Sequence, residues 1–514
     1  PTHPGEQTDA RMFDVADLYK GPVSSGEDET ERSLSLDEKL RQAYFWTTNH
    51  GIISPYYDIE YNVTPPQTFV MGDDKVACHL PSDQSYSSYV LLPLLNLAVQ
   101  KRCLLVGGPG RGKTAIAVLM GVLSGYSLRD VKRAIQHGQP QMTIADLLGH
   151  PLPSSMVNAE SNDDIKIAWR SWLGMHVKII DEYNRIPTRS QSALLTVMGD
   201  NYAEIYDQIY ECPDAAWYLT ANDDAGGGTY QVIEALRDRI DVVVKALHFN
   251  TRFLSELLLR IEEGIRPEEI VPAPIIFSES EMEAMSKAVR RVVISPELLR
   301  RIEFFASHFE FFEPAARQIE YMTKDTATTS GADVGLLMQS QTGKDPIADL
   351  GSQTFNGLSV RALMTCLSFI KAMAYFRGKN EVSLDDARQI IPFVLHDKLK
   401  QNPDSAYFEH EDRAAYRLDR VSWIRHLFDE SCKEYERLNR DREDPVASLD
   451  EQFSRGLEGL SEKDVRKRLT TIEHILRQWS GNRKLYGHIF DDVLKLKYLH
   501  QRYTNYLRWL TSQH

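Results

Sequence analysis

The stretch "LLVGGPGRGKTAIAVLM", residues 104–120, decides the fold. It opens on an apolar run, passes through glycines and closes on helix-compatible residues, so it reads strand, loop, helix. Within it, "GGPGRGKT" (107–114) satisfies G-x-x-x-x-G-K-[ST] in full. Glycines are needed there because the backbone must curl and aim its N–H groups at phosphate oxygens. Gly107, Gly108, Pro109, Gly110, Arg111, Gly112, Lys113, Thr114 and Ala115 form the predicted phosphate cradle. Lys113 would reach the β- and γ-phosphates, the Thr114 hydroxyl would ligate magnesium, and the following helix adds its positive N-terminal end.

Four further stretches bear on how that nucleotide is used. "HVKIIDEYNR" (176–185) is an apolar strand ending in two acids, about 65 residues beyond the loop. Asp181 would stand one layer of water from the magnesium, while Glu182 would polarise a water for in-line attack on the γ-phosphate. Transfer to a substrate would not need the second acid, so hydrolysis is favoured. "AAWYLTAND" (215–223) ends in Asn222, whose amide can hold the attacking water. "IEALRDRID" (233–241) puts Arg237 and Arg239 at the end of a short helix, where one of them can enter a neighbour's nucleotide site. "LSVRALM" (358–364) puts Arg361 at a helix start.

From 103 to about 245, strand-like runs ("CLLVG", "HVKIID", "AAWYLTAN", "IDVVVK") alternate with helical patterns. That alternation predicts an α/β core with a parallel sheet and crossover helices. "YVLLPLLNLAVQKR" (89–102) reads as a buried helix feeding the loop strand. Residues 20–33 read as a mobile linker, and 51–80 as short strands or an irregular arm. Residues 35–46 read as a helix with Ser35 as N-cap and Glu38 at capping-box spacing. Stretches 250–322 and 358–400 read as helical, with 323–354 between them as a flexible insertion. Beyond 401, apolar stripes run along 421–438, 465–479 and 489–510, and the simplest expectation is that they pack on one another in one antiparallel bundle.

Composition bounds the partners. Over 514 residues the formal net charge is −14, which repels nucleic-acid phosphates on average and leans toward a protein partner. No run approaches the ~18 apolar residues of a membrane span. The first residues are polar, so no secretory segment is expected there. Five scattered cysteines without C-x-x-C spacing disfavour a disulfide framework or a zinc site and favour a reducing cytoplasm.

Taken in this order, the five elements resemble an AAA+ ATPase, and more narrowly the MoxR group. The narrower resemblance rests on "AIQHGQPQMTIADLLGHP" (134–151), "IIDEYNRIPTRSQSALLTVMGDNYAEI" (179–205), "YLTANDDAGGGTYQVIEALRDRID" (218–241) and "GLSVRALMTCLSFIKAMAYFRGKNEVSLDDARQIIPFVLHDKL" (357–399). Tyr183 inside the acidic motif, Asp223 in place of a usual proline, and the 323–354 insertion depart from the pattern. The resemblance implies ATP and Mg2+ as cofactors, Asp181 and Glu182 as the metal and water carboxylates, and Asn222 as first sensor. It implies Arg239 as the finger acting in trans, with Arg237 the fallback, and Arg361 as second sensor. It further implies a homo-oligomer, a hexameric ring, acting as a chaperone on a protein client such as a von Willebrand A domain protein or a metalloenzyme. A nucleic-acid motor or a defence-system NTPase built on the same engine is the alternative. The predicted division is an N-terminal extension (1–88), a nucleotide-binding core (89–249), a helical lid with its insertion (250–400) and a C-terminal helical bundle (401–514).

Overall fold

Each apolar run flagged as a strand is one, and a short strand joins them. The computed structural model describes residues 35–51, 56–73, 76–157, 159–222, 234–264, 266–339, 349–481 and 485–512; the expected linker at 20–33 lies outside them. The strands are β1 (Arg102–Val106), β2 (Gln136–His137), β3 (Val177–Asp181), β4 (Ala216–Ala221) and β5 (Val242–Lys245). They form one sheet in the order β5-β1-β4-β3-β2. Every pairing is parallel, with Val243 and Leu219 both opposite Leu104, Tyr218 opposite Ile179, and Gln136 opposite Ile180. Helices on both faces bury such strands completely, which is why β4 reads as an unbroken apolar run and is buried along its whole length.

The helices that matter for the site are α1 (Leu36–Trp46), α2 (Ser88–Val99), α3 (Lys113–Leu123), α4 (Thr188–Asp200) and α5 (Glu234–Asp238). α2 is apolar all round and buried from Ser88 to Ala98, as a helix enclosed by sheet and neighbours must be. Its buried Asn96 amide donates to the carbonyls of Lys101 (3.0 Å) and Trp217 (3.1 Å), fastening the helix to the start of β1 and to β4. At α1, Ser35 is the N-cap residue, but its side chain makes no capping hydrogen bond. The expected box does not form because Arg41 claims the Glu38 carboxylate at 2.7 Å and Asp37 at 2.8 Å.

Two compact units divide the chain: one holds the described residues up to Val293 with Met364–Val394, the other Ile294–Leu363 with the residues from Leu395 onward. These limits follow packing, whereas the divisions drawn from the sequence follow motifs. In the first unit, the part of the helix Val360–Phe376 from Met364 onward is anchored to the sheet by Thr365, whose hydroxyl donates to buried Asp241 at 2.8 Å. Asp241 also accepts from the Arg102 backbone N–H (3.0 Å) and guanidinium (3.2 Å), so its burial is fully compensated.

In the second unit the C-terminal stripes turn inward. Val465, Ile472 and Ile475 of the helix Glu462–Trp479 share a core with Leu496, Leu499 and Tyr503 of the helix Gly487–Ser512 and with Val446 and Leu449. The stripe of the helix Arg420–Arg437 departs from the single-bundle expectation: its Phe428 meets Phe305 (5.3 Å between ring centroids) and its Tyr435 meets Phe304 (5.3 Å) of the helix Pro296–Ser307. An apolar stripe announces that a face is covered, not by which element. The stretch read as a flexible insertion contains two short helices, Lys324–Thr329 and Val334–Gln339, whose Ala327 and Val334 bury against Phe312. Among the described residues no helix is long and apolar enough to cross a membrane, and all five cysteines are free.

One buried cation in the sheet gives a pH signature. Lys178 on β3 is 1% exposed, donates to the Met175 carbonyl at 2.6 Å and lies 5.8 Å from the Trp217 ring centre. Burial pushes its ammonium down to about 8, against the pull of Cys212 and Asp214, which favour the charge. Between that value and the ordinary 10.5 the unfolded chain binds a proton that the folded chain has shed, so stability rises with pH through this window. The stability of the parent relative to Lys178→Met should therefore increase by on the order of 3 kcal/mol from pH 7 to 10.5. Denaturant titrations of both proteins across that range measure it, and a pH-independent difference would refute it.

Candidate nucleotide site

Parallel strands place all their C-terminal ends on one edge of the sheet, and open α/β sheets bind ligands there. The loop after β1, the acids ending β3 and the Asn following β4 all arrive at that edge. The loop itself needs its glycines: Gly110 (φ +71°) and Gly112 (φ +76°) occupy the left-handed region, and a Cβ at Gly107 would stand 2.8 Å from the Ala246 Cβ. Arg111 is turned away from the centre of the site and donates to the Leu247 carbonyl at 2.9 Å, while Tyr89 donates to the Arg111 carbonyl at 3.0 Å. These bonds tie the loop to β5 and α2. Lys113 is the first residue of α3 and is buried.

The Lys113 ammonium bridges its own loop to the sheet. It donates to the Gly107 (2.5 Å) and Gly108 (2.8 Å) carbonyls and to Asn222 Oδ1 (2.9 Å). The Asn222 amide in turn donates to Glu182 Oε1 at 2.9 Å, and the Arg185 guanidinium holds Glu182 Oε2 at 3.1 Å. Asp181 Oδ1 receives two hydroxyls, Thr114 at 2.7 Å and Thr220 at 2.6 Å. Nucleotide phosphates would compete with the loop carbonyls for the Lys113 ammonium. Thr114 and Asp181 supply adjacent hard oxygens, a donor set that suits magnesium, which keeps several waters and takes few protein ligands. The residues present therefore fit both groups: Thr114 and Asp181 would hold the metal, which would supply positive charge against the phosphates.

Glu182 sits in left-handed backbone (φ 53°, ψ 49°), uncommon for a residue with a side chain. Its N–H is fixed to Thr220 Oγ1 at 2.9 Å, so the strained turn aims the carboxylate at Asn222. Four residues of this network had no assigned role at the sequence level: Thr220, His137, Gly138 and Arg185. Thr220 was visible only as a hydroxyl in an otherwise apolar strand. His137 on β2 pairs with Asp181 across the sheet, with Nδ1 3.3 Å from Asp181 Oδ2. Gly138 approaches the acids so closely that a Cβ there would fall 2.1 Å from the Glu182 carbonyl oxygen.

The arginines lie elsewhere. Arg239 precedes β5, at the N-terminal end of the sheet, where Val242 pairs with Cys103 rather than with Val106 beside the loop. Three residues of strand separate those levels, about 10 Å. The Arg239 guanidinium packs on Gly199 near the end of α4, where a Cβ would stand 2.5 Å from Nε, and Nη1 reaches the Ala235 carbonyl at 3.4 Å. Arg237 is exposed on α5. Arg361 belongs to the second compact unit and is exposed in the first turn of the helix Val360–Phe376. Asp223, the noted departure beside Asn222, lies outside the described residues.

A phosphate loop on a parallel sheet, two acids ending the strand two places away and an Asn ending the strand between define a nucleotide-binding protein of the AAA+ class. Residues 102–242 match the family described as "ATPase family associated with various cellular activities (AAA)", and residues 352–414 match the AAA lid domain. The chaperone MoxR1 of Mycobacterium tuberculosis is 24% identical over 351 residues, spanning 68% of this chain and 77% of that protein. A crystal structure of a presumptive ATPase from Cytophaga hutchinsonii is 18% identical, covering 67% of this chain and 88% of that one with a TM-score of 0.45. Residues 102–242 and 352–414 thus carry an AAA core and an AAA lid, and the chain is similar to the MoxR-like AAA+ ATPases.

Gly138→Ala tests the close approach at the acids. The added methyl must push the Glu182 segment aside while leaving the loop untouched. Turnover should fall by about 10²–10⁴-fold, the range for losing a positioned acid or base, with nucleotide affinity changed only a few-fold. Steady-state hydrolysis beside a fluorescent-nucleotide titration measures both, and wild-type turnover would refute the role of that contact.

Proposed function

We propose that this chain hydrolyses ATP with Mg2+ and uses the energy to remodel a protein client, working as a homo-oligomer whose neighbouring copies complete one another's sites. Lys113 binds the phosphates, Thr114 and Asp181 hold the metal, and Glu182 with Asn222 orients the attacking water. Arg239 of the adjacent copy supplies positive charge to the transferring phosphoryl group, and Arg361 reads the γ-phosphate. The observation that carries the reading is the continuous chain Lys113–Asn222–Glu182: one side chain linked to the phosphate loop, one amide, one carboxylate. Such a chain serves water attack and has no evident use in a protein that merely holds nucleotide. The start of β5 is the far end of the sheet from the loop, which supports a trans role for Arg239. A closed ring, hexameric as in the group it resembles, is the simplest assembly that gives every copy a neighbour. The net charge of −14 supports a protein client over nucleic acid, and the MoxR1 chaperone likeness supports remodelling, with a von Willebrand A domain protein or a metalloenzyme as the client class. A cytoplasmic setting belongs to the same reading.

Two experiments test it. Glu182→Gln should bind ATP as the parent does yet lose nearly all turnover, about 10²–10⁴-fold, whereas Lys113→Ala should weaken binding itself. A Glu182→Gln protein that turns over at the parent rate refutes the assignment.

Mixing inactive Arg239→Ala with inactive Lys113→Ala should restore partial activity, because one copy lends an intact site and the other an intact finger. A finger is worth roughly 10³–10⁵ in rate, so the rescue is measurable. Mixtures that co-assemble and stay inactive would remove Arg239 from the site and make Arg237 the candidate.

A further inference from the structure

One apolar face of the first compact unit stands open in the single copy. The strands Gln67–Met71 and Val76–Leu80 pair as an antiparallel hairpin in which every strand residue is exposed. Directly paired residues share a face, and faces alternate along a strand. One face therefore carries three rungs, Met71 with Val76, Phe69 with Cys78 and Gln67 with Leu80, apolar but for Gln67. Phe69, Met71, Val76 and Leu80 keep 48–62% of their surface in solvent. The opposite face holds the Thr68–His79 hydrogen bond (2.9 Å) beside Val70 and Ala77. A lone two-stranded hairpin is marginal in water and needs another strand, or a helix on its apolar face.

A helix of the same unit, Leu254–Glu262, has the complementary defect, since it buries none of its residues. It is seated on its own copy by Arg260, which donates to the Asn49 (2.7 Å) and His50 (3.0 Å) carbonyls, and by the half-buried Leu257. Its outer side presents Leu254, Leu258 and Ile261 at i, i+4 and i+7 with Leu259 beside them, all 48–65% exposed. Hairpin rungs on one face are about 6.8 Å apart, and these helix positions follow one another at about 5 Å along the axis, so three rungs span three helix positions. Charge at the ends gives the direction. Asp73 in the hairpin turn and Arg252 just before the helix make no ion pair among the described residues. The positive end of the helix favours the same acid.

We propose that the apolar hairpin face of one copy lies on the helix Leu254–Glu262 of the next copy, with Met71 and Val76 over Leu254 and Asp73 against Arg252. The two patches are different, so each copy gives a hairpin and receives one, and a closed ring leaves neither patch bare. Two observations make the occupant a second copy. The complementary stripe and the opposite charge are both carried by this chain. The three rungs also bury less than the about 800 Å² per partner of a stand-alone interface, so the contact suits a partner already held by other surfaces. The inference rests on the homo-oligomer of the proposed function and adds the surfaces that join its copies.

Sedimentation velocity of the full chain with a slowly hydrolysed ATP analogue tests it, on the parent, Phe69→Asp, Leu258→Lys and the double variant. Both positions are exposed, so every monomer should melt as the parent does. Each single substitution should weaken assembly by at least about tenfold, and the double variant should regain most of it, because an acid then faces a cation at every interface. A parent that stays monomeric overturns the homo-oligomer and this contact together. Single variants that assemble like an assembling parent overturn the contact alone and leave the homo-oligomer standing. Weakened assembly that the double variant does not restore assigns the hairpin to another surface, such as a second hairpin, and overturns the pairing. A clearly lower melting point of monomeric Phe69→Asp means the face is covered within its own copy, by residues 1–34 for example, and overturns it as well.

Discussion

One carboxylate oxygen, Asp181 Oδ1, collects the Thr114 hydroxyl from the phosphate-loop helix and the Thr220 hydroxyl from the neighbouring strand. The geometry of the site depends on that junction. Thr220 faces Leu105 of β1 in the parallel register, while Leu219 faces Ile180 of β3, so three strands must be aligned before both hydroxyls reach the same oxygen. A slip of one residue would turn each of these side chains to the other face of the sheet. Thr220 also accepts the Glu182 N–H, so a single hydroxyl fixes both acids: one as acceptor of its proton, the other through a strained turn. The chemistry-bearing edge is rigid because its polar groups satisfy one another while the strands behind them are packed on both faces.

The opposite end of the sheet is organised by a second carboxylate. Asp241 is buried yet meets Arg102 and Thr365, joining the start of β1, the start of β5 and the helix Val360–Phe376. Arg102 extends the junction to α4 by donating to the Met198 carbonyl. Arg239, two residues before Asp241, rests on Gly199 of the same helix. The arginine proposed to act on a neighbour thus grows from a braced support rather than from a free loop, and losing either member of the Arg102–Asp241 pair would strand a buried charge. Rigid support matters for a residue that must deliver charge to a reacting phosphoryl group, because electrostatic stabilisation depends on preorganised geometry.

The second compact unit is held mainly by apolar packing between its helices. Its apolar stripes are satisfied, since Phe304, Phe305, Phe428 and Tyr435 interlock and the last two long helices share one core. Its polar groups pair as well, Asp492 with Arg440 at 2.6 Å and Asp450 with Lys495 at 2.8 Å.

The sequence by itself determined the chemistry-bearing motifs and the class of the core. The glycine spacing of 107–114, the acids after an apolar run and the Asn after another are local patterns. They become strand ends because four to six consecutive apolar residues must be covered on both faces. The same locality explains what was misread or missed. The Ser35 box was preempted by Arg41, whose reach to Asp37 and Glu38 competes with the backbone. Thr220, His137 and Gly138 carry no signature of their own, because their roles arise from register and close approach between segments tens of residues apart, whereas Arg185 pairs locally with Glu182, three residues before it. Which helix covers which stripe, and which compact unit claims residues 294–363, depended on long-range complementarity of shape that periodicity does not encode. Tertiary structure alone decided the strand order β5-β1-β4-β3-β2, which sets Asn222 between Lys113 and Glu182, because which strand pairs with which is invisible in any single strand.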